Sequence, residues 1–130
     1  MTNPFEKNIN GIELPKSLQE RLALWSGLIS DSGISPEIQR DFLAVLKSAQ
    51  KNFYANYEVD FILQLENGWA HILTLKNPEI FKIMSQLNRR EKYGENITIE
   101  VSPEDQLLIN LYLELQSDLW AWKSNENKYD

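Results

Sequence analysis

The sequence predicts an α+β domain with about four helices and a small three-stranded sheet containing a β-hairpin, in the order ααββαβα. Three observations carry this expectation. Ser35-Pro36-Glu37, Asn77-Pro78-Glu79 and Ser102-Pro103-Glu104 each join a capping side chain, a first-turn proline and an acid, as a helix N-terminus favours. Residues 36–57 repeat apolar side chains at helical spacing. Residues 58–76 then alternate around Asn67-Gly68, a pair suited to a type I′ turn, which needs positive φ at both central positions.

Taken in order, residues 1–14 form an irregular apolar leading segment, with Phe5, Ile9, Ile12 and Leu14, expected to lie across the domain. The first helix follows Pro15, with Ser17 and Glu20 spaced as a capping box, and runs through Leu18, Leu22, Trp25 and Leu28 to about Ser30. Gly33 ends the connection. The second helix carries Ile38, Phe42, Val45, Leu46, Ala49, Phe53 and Tyr57 in one stripe. In the hairpin, Leu65 would oppose Ala70, Leu63 would oppose Ile72 and Phe61 would oppose Thr74 on one face. The other face would pair Glu66 with Trp69, Gln64 with His71 and Ile62 with Leu73.

The third helix extends from Pro78 to about Lys92 with Ile80, Met84 and Leu87, and stops near Gly94. Asn96 to Val101 alternates as a half-buried strand, and the last helix runs from Pro103 to about Lys123. Residues 124–130 read as a loose polar tail, and residues 1–130 as one domain.

Composition narrows the function classes. With 42% hydrophobic and 25% charged residues the chain is ordinary for a globular protein. The absence of cysteine removes disulfides, thiolate metal sites and cysteine nucleophiles, and fits a reducing compartment. Met1 to Lys7 lacks a signal-peptide layout, Thr2 stands where myristoylation needs glycine, and Leu107 to Leu115 is far short of the ~20 residues of a membrane span. A cytoplasmic location without membrane attachment is expected. A formal charge of −6 disfavours a nucleic-acid backbone, although Arg40, Lys47 and Lys51, and Arg89, Arg90 and Lys92, form local basic groups.

No motif for chemistry emerges. His71 is the single histidine, Glu114 and Asp118 lie one turn apart on what reads as a solvated wedge, and the five glycines are isolated from one another. No catalytic, cofactor-binding or metal residue is therefore assigned, no cofactor is expected, and the chain is read as a non-enzyme.

Apolar surface beyond the needs of one core is the positive signal. On the last helix Leu108, Leu111, Tyr112, Leu115, Leu119 and Trp122 make one stripe, and Ile109, Leu113 and Trp120 a second. The second hairpin face adds Ile62, Trp69, Leu73 and Leu75 beside Gln64 and His71. Either other parts of the chain cover these residues, or Ile62, Gln64, Trp69, His71, Leu73, Leu75, Ile109, Leu113 and Trp120 bind a partner.

The stretches Leu14-Pro15-Lys16-Ser17-Leu18-Gln19-Glu20-Arg21-Leu22 and Gly68-Trp69-Ala70-His71-Ile72-Leu73, in a small acidic chain, resemble the small accessory and assembly proteins of cyanobacteria. They cover little of the chain and carry over no functional residue. The resemblance implies an assembly factor or adaptor for a larger complex or microcompartment. The expected function is an adaptor or assembly chaperone that binds an apolar helix or peptide tail of another protein, or a second copy of itself. An acidic inhibitor or immunity protein masking a basic partner is the alternative, and a small enzyme without a recognisable motif the third.

Overall fold

Proline and its capping neighbours set the helix starts in the computed structural model, which describes residues 15–51, 58–94, 96 and 98–127. Helix α1 spans Lys16–Ser30, α2 Pro36–Lys51, α3 Glu58–Lys76, α4 Ile80–Tyr93 and α5 Pro103–Asn127. Ser35 Oγ accepts the Ile38 N–H at 3.5 Å, and Ser102 Oγ accepts the Asp105 N–H at 3.1 Å. Asn77 Oδ1 takes the Glu79 N–H at 3.0 Å, so the turn at Pro78 precedes a helix beginning at Ile80. Gly94, left-handed at φ 64°, closes α4 by donating to the Arg90 carbonyl at 3.1 Å. The capping box expected at Ser17 does not form, because α1 already starts at Lys16 and has no side-chain cap.

The expected α+β class is overturned. All regular structure among the described residues is helical, and residues 58–76 are one helix instead of a hairpin. Phe61, Ile62, Leu65, Trp69, Ile72 and Leu73 satisfy a helical repeat as well as an alternating one, and all six are buried. Leu63, placed on the inner hairpin face by alternation, is instead 43% exposed. The strand expected over 96–101 is irregular at its described positions, and with 58–76 helical there is no strand among the described residues to pair with it. The second helix, expected to reach 57, is described to Lys51; positions 52–57 and the leading segment 1–14 lie outside the described residues.

Gly68 explains how the turn signal misled. It has no positive φ, and a Cβ built on it would stand 2.7 Å from Val45 Cγ1 of α2. Glycine there costs about 1 kcal/mol of helix propensity, and its missing side chain lets two helices approach closely.

Around the core, α1 touches α2, α2 touches α3, α3 touches α5 and α5 returns to α1; α4 packs outside, on α3 and α5. Phe61 against Trp122 and Asn77 against Asp105 make α3 and α5 antiparallel. Buried residues of all five helices form one cluster. At its centre Trp25 meets Trp69 and Trp122 edge-on, with ring centroids 6.3 and 6.1 Å apart.

Candidate functional site between α4 and α5

Helix α4 is amphipathic, yet Ile80 is its one buried residue. Phe81, Ile83, Met84 and Leu87 reach the core cluster while remaining partly open. The reason is geometric. Only one side of α4 rests on the bundle, anchored where Phe81 meets Tyr112 edge-on at 5.6 Å, and where Asn77 Nδ2 donates to Asp105 at 3.1 Å across the α3–α4 corner.

A groove of about 530 Å³ results between α4 and α5. Phe81, Met84 and Leu87 form one wall, and Ile109 and Leu113 the other. Ser85, Asn88, Gln106 and Asn110 edge it with polar groups, and Arg90 and Glu91 stand toward the C-terminal end of α4. Gln106 Nε2 donates to Asn110 Oδ1 at 2.9 Å, one turn along the α5 rim. An apolar trough with a few polar groups at its edge is suited to capturing an apolar side chain or helix face.

The apolar face continues along α5. Leu113 is 45% and Trp120 43% exposed, and the seven-residue step between them keeps both on one side of the helix. Glu66 of α3 fixes this stretch, accepting from Gln116 Nε2 at 3.2 Å and from Trp120 Nε1 at 2.9 Å. Trp120 thus has its polar atom satisfied while much of its ring faces outward. Burial raises the Tyr112 phenol above its ordinary value of 10.0, and the Glu66 carboxylate raises it further.

The structure divides the nine residues expected to bind a partner. Ile62, Trp69 and Leu73 are core, because the helical α3 turns them inward. Gln64, His71 and Leu75 share the flank of α3 away from Glu66. Gln64 there lines a small hollow of about 190 Å³ with Val45, Ser48, Ala49 and Gly68. Ile109 and Leu113 both line the groove, Ile109 as a buried core residue beneath it, and Trp120 lies outside its lining, two turns on along the same face of α5.

Sequence reasoning missed the α4 wall. Ile80, Met84 and Leu87 read as apolar positions of this helix in the sequence, but how little of α4 the bundle covers is not written in its own residues. Asp118 also departs from expectation, since it accepts from Trp25 and Arg21 instead of sharing a solvated wedge with Glu114. Among the described residues no group of three or more His, Asp or Glu is placed to hold a metal, and His71 is exposed. No described helix is long and apolar enough to cross a membrane. The chain matches no protein family, no curated protein and no solved structure.

Proposed function

We propose that this chain is a non-enzymatic adaptor or assembly factor that holds an apolar helix or peptide tail of another protein in the α4–α5 groove. The observation that carries the reading is the half-covered apolar face of α4, facing Ile109 and Leu113 across an open trough. Trp120 would extend the contact, aromatic anchors of this kind being common at binding sites. A cysteine-free chain is compatible with a cytoplasmic setting for this role.

The reading is tested by an amide chemical-shift titration of the labelled protein with an unlabelled leucine-rich amphipathic helix. Shifts should gather on residues 81–91 and 106–113 and fade toward α2. Shifts centred on the small hollow beside Gly68, or none at all, would contradict it.

A further inference from the structure

Trp120 and the groove share one face of α5, and their spacing is symmetric. The exposed indole stands seven residues beyond Leu113, about 10 Å along the helix, and Gln106 at the groove's edge stands seven residues before it. A groove of about 530 Å³ is in the size range that takes a whole small ligand, so it has room for one indole. A projecting ring and a receptive trough on either side of one residue make a surface that pairs with itself, because a two-fold axis there seats both rings at once.

Charge permits this pairing and fixes its direction. The chain has a formal charge of −6, so two copies repel unless they meet on a neutral face. Between Asp105 and Lys123 the only charged residues of α5 are Glu114 and Asp118, which point away toward α1, where Asp118 accepts from Arg21. Asn110, Leu113, Ser117 and Trp120 leave the exposed stripe uncharged, and Arg90 and Glu91 of α4 balance each other beside it. Parallel helices would set Glu104 and Asp105 against their own copies. Antiparallel helices crossing at Leu113 hold the two sets about 25 Å apart, beyond the ~8 Å over which exposed charges act in physiological salt.

Resting on the adaptor reading of the groove, we infer that its resident occupant is Trp120 of a second copy of this chain, in a two-fold dimer whose α5 helices cross antiparallel near Leu113. The contact is small. About 27 Å of α5 and two helix widths of about 10 Å each enclose roughly 500 Å² on each copy, below the standard interface and in the range of transient ones. The dimer is therefore weak and reversible, and an apolar helix entering the trough displaces the partner's ring. In dilute solution the chain is single, and Trp120 then extends its own groove's contact with a captured helix.

Sedimentation equilibrium of the full chain tests the dimer. The average mass should climb from that of one chain toward that of two as concentration rises from micromolar to millimolar. Trp120→Ala should weaken association at least tenfold with its helical circular dichroism unchanged. Because the chain has no cysteine, single introduced cysteines report the register. Under mild oxidation a mixture of Asn110→Cys and Ser117→Cys should form the mixed disulfide in preference to either like pair, since antiparallel pairing about Leu113 sets position 110 against the partner's position 117. A leucine-rich amphipathic helix should lower the average mass as it binds. One chain at every concentration, association that survives Trp120→Ala, or like disulfides in preference to the mixed one would overturn the dimer, and a helix still captured by the groove would leave the adaptor reading standing. A dimer that is lost in Trp120→Ala but that the helix neither binds nor dissociates would overturn the adaptor reading and leave the dimer.

Discussion

The indole nitrogen of Trp25 on α1 donates to a carboxylate oxygen of Asp118 on α5, and Arg21 Nη1 donates to the other oxygen at 3.0 Å. Trp25 is fully buried, and of the three core indoles it alone has an acceptor among the described residues. Asp118→Ala should therefore cost about 1–3 kcal/mol in urea unfolding, by leaving a buried donor unsatisfied. Asp118→Asn, which keeps an acceptor and loses the partly exposed ion pair with Arg21, should cost only about 1 kcal/mol or less. Equal losses in the two variants would place the stabilisation in the charge instead of the indole bond.

Gly68→Ala reverses the usual helix rule. On an open helix face the change would stabilise by roughly 1 kcal/mol, but here the new methyl meets Val45 Cγ1 at 2.7 Å. Thermal or urea unfolding should show a loss of about 1–3 kcal/mol, from overpacking between α2 and α3. Adding Val45→Ala should recover part of it. A stabilised single variant would show that the two helices are not in close contact.

Two tryptophans that share the sequence's surplus of apolar residues should behave differently. Trp69 is fully buried, and Trp69→Ala should cost about 3–5 kcal/mol, enough to unfold a marginal domain. Trp120 is 43% exposed, and Trp120→Ala should retain the cooperative fold while weakening capture of an apolar helix. Unfolding midpoints and probe titrations measured on both variants check the contrast. Similar destabilisation by the two changes would contradict it.

Tyr112 should make stability fall at alkaline pH. Its folded phenol ionises above the ordinary 10.0, chiefly through burial and secondarily through Glu66. In the unfolded chain the phenol ionises near its ordinary value, so its contribution is full below about pH 10 and is lost as pH rises through the folded value. Tyr112→Phe should flatten the pH dependence of unfolding in that range, and Glu66→Gln should lower the pH at which the phenolate absorbance appears. An unchanged slope in the phenylalanine variant would contradict this account.

Local rules were legible where one residue type has one use. Pro36 and Pro103 marked their helices to the residue, and Gly94 marked the end of α4, because a missing N–H or a left-handed φ is a backbone demand. The segment 58–76 was not legible in this way, since its apolar residues fit both periods and Asn67-Gly68 suits a turn. As a helix the segment brings Gly68 close against Val45 of α2, and such an approach is a matter of tertiary packing that local sequence does not display. The candidate site was half legible for the same reason. Ile109, Leu113 and Trp120 were distinguished on α5, whereas the wall formed by Phe81, Met84 and Leu87 depends on how little of α4 the bundle covers.

The groove, the inward tryptophans and the Gly68 contact all require residues 58–76 to be a single helix. Backbone chemical shifts across this segment test that requirement most directly. Helical Cα shifts continuing through Asn67 and Gly68, with sequential amide contacts on both sides, are the predicted result. Extended-chain shifts flanking those two residues, with cross-strand contacts between Leu65 and Ala70, would contradict it.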